Sequence, residues 1–300
     1  MEEENVAAEQ VTSDEAWTVK KVLDWTISYL KEHKSETPRL DAEVLLAFAR
    51  KCQRIQLYTQ FDQLLSEEER GLMRSLVKRR AASEPVAYLV GHREFFSLDF
   101  LIEPNVFIPR PDTETLVATA LDLLKPLKSP SLLELCTGTG CVPIAIAKNH
   151  ASVQITTLEK NSAPYAVAAR NIKKHEVEDR VKLLNGDLFE PLENGSKFDI
   201  IVSNPPYIPK TEIETLESDV RDHEPHVALD GGADGFDVIR ILIEQSPLYL
   251  NAGGWLLFEL SPEQADEGCK LLKEAGFHSV RTEADLSGQA RVVLGCWGSS

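Results

Sequence analysis

From Ser131 to the end, short apolar runs alternate with amphipathic stretches, and this alternation constrains the fold more than any other feature. The runs are "SLLELC", "VQITTLE", "VKLLNGD", "FDIIVSN", "GWLLFEL", "SVRTEA" and "RVVLGCW". Between most of them lie helical patterns, at about 142–149, 163–175, 235–249 and 263–275. Strands that alternate with helices build a doubly wound, mainly parallel sheet, here of seven strands. The two closing runs have only a short connection, so one of them is expected to run antiparallel. Ligands of such sheets bind at the carboxyl ends of the strands, so those ends are the places to look for chemistry.

The first strand runs into "LELCTGTGCVPIAIA". Gly138 and Gly140 flank Thr139 ahead of a helix, and glycine lets a backbone turn tightly and approach a ligand closely. A dinucleotide fingerprint asks for a third glycine at 143, where Pro143 stands. A phosphate-binding Gly-Lys-Ser/Thr loop is absent. The second strand ends at Glu159, an acid placed to accept the ribose hydroxyls of an adenosine. The third ends in "NGDLFEPL", which brings Asp187 and Leu188 to the same edge. There the carboxylate can accept from an adenine amino group and Leu188 can pack on the ring. Any one of these acids alone reads as solubility or helix capping. Three consecutive strand ends carrying a glycine loop, an acid, and an acid beside an apolar side chain point to an adenosyl ligand.

The fourth strand ends in "FDIIVSNPPYIP". Proline donates no ladder hydrogen bond, so the strand stops at Ser203-Asn204 and delivers Asn204, Pro205, Pro206 and Tyr207 to one point. A planar NH₂ group, in a carboxamide or an adenine, is a poor nucleophile because its lone pair is delocalised. The Asn204 side-chain oxygen and the Pro205 carbonyl can accept its two hydrogens. Proline's fixed φ holds that carbonyl in place, and Tyr207 can stack on the flat face of the substrate. The catalytic effect would then be orientation and electrostatic preorganisation. These four residues do not choose between adenine and a glutamine side chain.

Residues 16–85 show helical periodicity without a clear strand. Val19, Val22, Leu23, Thr26, Ile27 and Leu30 repeat at helical spacing, with Thr12 and Glu15 as a capping box. A second helix is expected from about Asp41 to Lys51. A third begins at Ser66, boxed by Glu69, and turns Leu72, Met73, Leu76 and Val77 inward. Residues 86–115, rich in aromatics, glycine and proline, read as a hairpin and loop connector. Residues 1–15 carry six acids and no base. That composition fits a disordered acidic tail, not a secretory signal.

The net charge of −16 disfavours direct binding of long nucleic acid, which calls for a basic patch. The clusters Lys78-Arg79-Arg80 and Lys173-Lys174 read as solvated helix ends. No apolar run reaches the ~20 residues of a membrane span. Five cysteines without a paired framework fit reduced thiols and a cytoplasmic protein. His223 and His226 are separated by Pro225, so no metal site is expected. "LDGGADGFD" lacks calcium-loop spacing and reads as a turn capping the next helix.

The segments "LDAEVLLAFA", "EPVAYLVGHREFF", "FIPRPDTETLV", "LELCTGTG", "GDLFEPL", "VSNPPYIP" and "EPHVALDGGADGFDVIR" together resemble one family across nearly the whole chain. It is the release-factor glutamine methyltransferases (PrmC/HemK), which are class I S-adenosylmethionine-dependent enzymes. The resemblance implies N5-methylation of the glutamine in the Gly-Gly-Gln motif of class 1 peptide chain release factors. The alternative that shares the Asn-Pro-Pro-Tyr site is a nucleic-acid adenine N6-methyltransferase. By the same resemblance, Cys136, Thr137, Gly138, Thr139, Gly140 and Glu159 would bind S-adenosylmethionine, with Asn204 at the edge of that site. Asp187 and Leu188 would line the adenine, and Asn204 to Tyr207 would hold the glutamine amide. Arg110 would order the connector over the cofactor, and residues 16–85 would dock the release factor. Residues 116–300 would form the methyltransferase domain of a monomeric protein. Three positions depart from the family pattern: Cys136 replaces a glycine, Glu159 an aspartate, and Leu260-Ser261 an Ile-Gly pair.

Overall fold

The structure, a computed structural model, describes residues 17–298, which fall into two compact units divided between Val90 and Gly91. The capping box expected at Thr12 and Glu15, and the acidic tail, lie outside the described residues.

The first unit is helical: α1 Val19–Glu32, α2 Pro38–Ala49, α3 Arg54–Thr59, α4 Glu67–Ala81 and α5 Val86–Val90. Helix α1 starts behind Thr18, whose hydroxyl accepts from the Lys21 amide at 3.2 Å. Helix α4 has the expected reciprocal cap. The Glu69 amide donates to Ser66 Oγ (3.1 Å) and the Ser66 amide to Glu69 Oε2 (2.7 Å). Met73, Leu76 and Val77 are buried as the periodicity requires, but Leu72 lies on the outer face, 37% exposed. The apolar stripe of α4 is therefore narrower than the sequence suggested. Arg80 also differs from its expected solvated state. It pairs with buried Asp41 at 2.7 Å, and Asp41 accepts further bonds from Ser35 Oγ and Thr37 Oγ1. Removing one partner of such a buried pair typically costs about 3–5 kcal/mol, so this pair ties α4 to α2. Helix α3 was not visible as a periodic run because it is barely two turns long.

The second unit opens with the expected hairpin, β1 His92–Phe95 and β2 Leu98–Leu101, followed by a 3-10 turn at Pro111–Thr113 and helix α6 Glu114–Leu124. Strands and helices then alternate: β3 Ser131–Leu135, α7 Cys141–Asn149, β4 Gln154–Glu159, α8 Ser162–Lys174, β5 Val181–Asn185 and β6 Phe198–Ser203. After a long loop containing α9 Ser218–His223 come α10 Asp237–Tyr249, β7 Leu250–Glu259, α11 Ala265–Glu274, β8 His278–Ala284 and β9 Ala290–Cys296.

The seven strands lie in the order β5-β4-β3-β6-β7-β9-β8. All neighbours are parallel except β9, which runs antiparallel to both β7 and β8. The central strands are buried on both faces, which is why they read as nearly continuous apolar runs. Leu132, Leu133, Leu135, Ile201, Val202, Leu256, Leu257 and Phe258 are all sealed from solvent. The chain steps outward from β3 to β4 and β5, then returns to the other side of β3 with β6. That reversal opens a crevice at the carboxyl ends of β3 and β6. No helix among the described residues is long and apolar enough to cross a membrane.

Candidate active site

Strand register sets the geometry of the crevice. Leu135 pairs with Leu158 on one side and with Ser203 on the other, and Ser203 pairs with Phe258. One residue further along, Glu159, Cys136, Asn204 and Glu259 therefore stand in a single row across four strands. A cavity of about 590 Å³ lies along this row, within the size range of small-ligand sites. Its lining contains Asn204 to Tyr207, residues 136–139, Glu159, Asp187, Leu188 and Arg110. Gly140 does not line it and lies behind the turn.

The glycine turn is tight. Cys136, Gly138 and Gly140 all have left-handed φ, at +64°, +57° and +80°. A Cβ at Gly140 would meet Ile144 Cδ1 at 3.3 Å and Ala168 Cβ at 3.4 Å, so glycine allows α7 and α8 to close behind the turn. The turn is braced by the Thr137 amide donating to the Leu158 carbonyl (3.1 Å) and the Gly140 amide to the Thr137 carbonyl (2.9 Å).

Glu159 is buried and bound on both oxygens. Oε2 accepts from the Gly138 amide at 3.0 Å, and Oε1 from the Asn161 amide at 2.8 Å and Asn161 Nδ2 at 3.2 Å. Burial still pushes its carboxyl above the ordinary range, against those donors. The Asn161 side-chain contact is the longest of the three. Asp187 pairs with exposed Lys160 at 2.6 Å, and Leu188 holds a left-handed φ of +44° beside it.

On the other side, the Asn204 Nδ2 donates to Thr113 Oγ1 at 3.1 Å. This leaves the amide oxygen Oδ1 for a ligand. The Pro205 carbonyl accepts no hydrogen bond from the described residues. The Tyr207 hydroxyl donates to Glu259 Oε1 at 3.1 Å. Burial and the neighbouring Glu259 carboxylate raise the phenol above its usual range, so it stays a neutral donor. The turn after Tyr207 is held from behind by "LDGGADGFD". The Ile208 amide donates to the Leu229 carbonyl and the Gly231 amide to the Ile208 carbonyl, both at 2.9 Å. Gln264 Nε2 donates to the Tyr207 carbonyl at 2.9 Å. Gly235 (φ +82°) lies so close that a Cβ there would sit 2.2 Å from the Tyr207 oxygen. This glycine-rich segment does cap the next helix, since the Gly231 carbonyl accepts from the Asp237 amide at 3.0 Å. Its larger task is to let two backbones touch.

Arg110 orders its segment through contacts on three sides. It pairs with buried Glu224, donates to the Ile108 carbonyl at 2.9 Å, and stacks on the Phe107 ring at 4.7 Å. Glu224 also accepts from the Ile108 amide at 3.1 Å.

Among known proteins, the profile described as the PrmC N-terminal domain matches residues 21–91, and that described as the methyltransferase small domain matches residues 98–219. A release factor glutamine methyltransferase of Rhodopirellula baltica is 42% identical over 289 residues, covering 95% of this chain and 98% of that protein. One from Geobacter sulfurreducens is 44% identical over 281 residues, covering 94% and 97%. The chain belongs to the release factor glutamine methyltransferase family. Among solved structures, a methyltransferase from Pyrococcus furiosus matches with a TM-score of 0.50 at 19% identity, covering 74% of this chain and 98% of that one. The T. thermophilus 16S rRNA N2 G1207 methyltransferase, in complex with AdoMet and guanosine, matches with a TM-score of 0.51 at 19% identity, covering 68% and 49%. These likenesses establish the fold.

Within this release factor glutamine methyltransferase family member, the three departures have local accounts. A left-handed non-glycine residue costs roughly 1–2 kcal/mol, and Cys136 carries that strain where glycine would not. Burial and nearby Glu159 push its thiol up to about 12, so it is no nucleophile. The Glu159 carboxylate reaches the Gly138 amide. Leu260 is buried in the core, and Ser261 starts a capped 3-10 turn in which its amide donates to Gln264 Oε1 at 3.2 Å.

Sequence reasoning missed several supports. Asn171 on α8 is fully buried and donates Nδ2 to the Thr139 and Leu101 carbonyls while accepting from the Leu101 amide. It fastens the glycine turn to the hairpin. The available signal was a lone amide on the apolar stripe of α8. Glu134, a charged residue inside an apolar strand, was also visible but unread. It accepts from Thr137 and Thr157 hydroxyls, and burial raises its carboxyl to about 8.

Two outcomes follow from these contacts. Gly235→Ala should displace the Tyr207 carbonyl, lowering methyl transfer at least about tenfold while calorimetry shows unchanged S-adenosylmethionine binding. Glu134 is protonated in the folded chain at neutral pH but ionised above about 4.3 when unfolded. Its contribution to stability is therefore complete below the unfolded value and lost as pH rises towards 8. Urea titrations should show wild type losing stability relative to Glu134→Gln between pH 5 and 8, with a slope of up to about 1.4 kcal/mol per pH unit.

Proposed function

We propose that this chain uses S-adenosylmethionine to methylate the side-chain nitrogen N5 of the Gly-Gly-Gln glutamine in class 1 peptide chain release factors. The observation that carries the reading is the Asn204 amide, whose nitrogen is engaged by Thr113 so that its oxygen is left for a donor. Beside it, the unengaged Pro205 carbonyl supplies a second acceptor. A primary amide has two N–H donors in one plane, and these two oxygens match that number.

The residues present fit the cofactor. The turn at 136–139, Glu159, and Asp187 with Leu188 all line the cavity. In this reading Glu159 takes ribose hydroxyls, Asp187 an adenine amino group, and Leu188 a face of the base. When bound there, S-adenosylmethionine supplies an electrophilic methyl group on a sulfonium.

Asn204 Oδ1 and the Pro205 carbonyl accept the two amide hydrogens, which orients the nitrogen and concentrates electron density on it. Pro205 and Pro206 fix the backbone, so little reorganisation remains when the bond forms. Tyr207 covers the planar face of the amide. The N-methylated amide is a strong acid until it loses a proton, and solvent suffices to take it. No side chain with a tuned pKa is needed. Arg110 and Glu224 hold residues 107–110 as one wall of this site. The helical unit docks the release factor, and the protein works as a monomer in the cytoplasm without binding long nucleic acid directly.

Labelled S-adenosylmethionine should mark a release factor but not the same factor with its Gly-Gly-Gln glutamine changed. Asn204→Ala should lower transfer by roughly 100-fold or more with cofactor binding retained. Equal labelling of both release factors, or transfer to DNA or RNA without protein, would overturn the reading.

A further inference from the structure

Asn171 on α8 is completely buried, and its side chain bonds only to backbone groups. Oδ1 accepts from the Leu101 amide at 2.8 Å, while Nδ2 donates to the Leu101 carbonyl at 3.1 Å and to the Thr139 carbonyl at 2.9 Å. Backbone N–H groups only donate and carbonyls only accept, so these partners fix the orientation of the side-chain amide. Leu101 ends β2 in a two-stranded sheet and turns both of its backbone groups outward to Asn171. Satisfying that pair needs one donor and one acceptor. The second Nδ2 hydrogen is surplus to the hairpin, and it goes to the glycine turn.

The hairpin is anchored by other contacts as well. Asp99 pairs with Lys174 at 2.6 Å, its carbonyl accepts from His175 Nε2 at 3.0 Å, and the Phe96 amide donates to Glu114 on α6 at 2.8 Å. The glycine turn has less to hold it from within. Gly138 and Gly140 flank Thr139 at φ +57° and +80°, and glycine gives the neighbouring peptide planes little steric preference. The Thr139–Gly140 peptide is held at both ends instead, its N–H by the Thr137 carbonyl at 2.9 Å and its C=O by Asn171. Residues 136–139 line the cavity, whereas residues 92–101 do not. Asn171 therefore joins one wall of the cavity to an anchored hairpin outside it.

We propose that Asn171 is a positioning residue for S-adenosylmethionine: through the Thr139 carbonyl it sets the conformation of the turn at 136–139, and so couples cofactor occupancy to the order of the hairpin. This rests on the reading that the turn takes the cofactor. Such coupling is reciprocal, so a closed hairpin favours cofactor binding by the factor by which bound cofactor suppresses hairpin opening. A residue that only filled the core would add stability without that linkage.

Two measurements on the full-length chain test it. The first is amide hydrogen exchange of wild type with and without saturating S-adenosylhomocysteine. A ligand of the folded state protects every amide that exchanges through global unfolding, so the reference is the β8–β9 pair at the far edge of the sheet. Protection of the Leu101 amide should rise about fivefold or more beyond that reference. The excess should vanish in Asn171→Asp, whose carboxylate can still accept from Leu101 but cannot donate to Thr139. The second is steady-state kinetics on the release factor. Asn171→Asp and Asn171→Ala should raise KM for S-adenosylmethionine about fivefold or more, with kcat and KM for the release factor within about twofold. The wild-type exchange decides the matter even if neither variant folds. Calorimetric binding of S-adenosylhomocysteine to wild type without excess protection at Leu101 would overturn the proposal, as would a fall in kcat at unchanged KM for S-adenosylmethionine. Absence of S-adenosylhomocysteine binding to wild type would overturn the cofactor reading itself, and the proposal with it.

Discussion

The lateral register of four parallel strands is the constraint on which everything else in the second unit depends. Leu135 faces Leu158 and Ser203, and Ser203 faces Phe258. Because a sheet carries side chains at fixed spacing, this brings Glu159, Cys136, Asn204 and Glu259 level. A slip of one residue would exchange the side chains that each strand packs against the two buried faces. Leu133, Ile201 and Leu256 are fully buried, so core packing fixes the register, and the register fixes the site. The loops that leave the strand ends carry their own conformational demands: left-handed turns after β3 and β5, and a proline-locked exit after β6.

The site is held from behind as much as it is built from the front. The connector "RPDT" is pinned residue by residue: Arg110 to Glu224, Asp112 to Arg291, and Thr113 to Asn204. On the far side, Gly231 and Gly235 allow a backbone to lie directly against Tyr207. Several supports carry energetic penalties. Cys136 is strained, while Glu134, Glu224 and Glu259 are buried acids whose carboxyls burial raises above the ordinary range. Such penalties gathered around one cavity are expected where a protein preorganises groups for chemistry.

Much of this was legible in the sequence because it depends on local chemistry. Period-two and period-3.6 patterns mark the sheet and most helices. A glycine turn, acids at strand ends and a proline stop mark the site, and the structure brings these residues around one cavity. What was not legible depends on contacts between distant segments. Nothing local in Thr113 or Asn204 says that they are linked. Asn171 and Gly235 act through partners far away in sequence, Thr139 and Tyr207. Leu72 and Arg80 were misread for the same reason, since a helical pattern does not show how wide its buried face is or which partner waits opposite it. The short helix α3 and the helix α6 behind the 3-10 turn at Pro111–Thr113 lacked a periodic run distinct enough from their surroundings.

The central claim is that Asn204 Oδ1 and the Pro205 carbonyl accept both hydrogens of a glutamine amide beside an adenosyl ligand held at Glu159. A structure of the chain with S-adenosylhomocysteine and a Gly-Gly-Gln peptide tests this most directly. The account predicts the glutamine nitrogen within hydrogen-bond reach, about 2.7–3.2 Å, of both oxygens, and the ribose hydroxyls on the Glu159 carboxylate. A glutamine bound with its oxygen towards Asn204 Nδ2, or an adenosine seated away from Glu159, would contradict it.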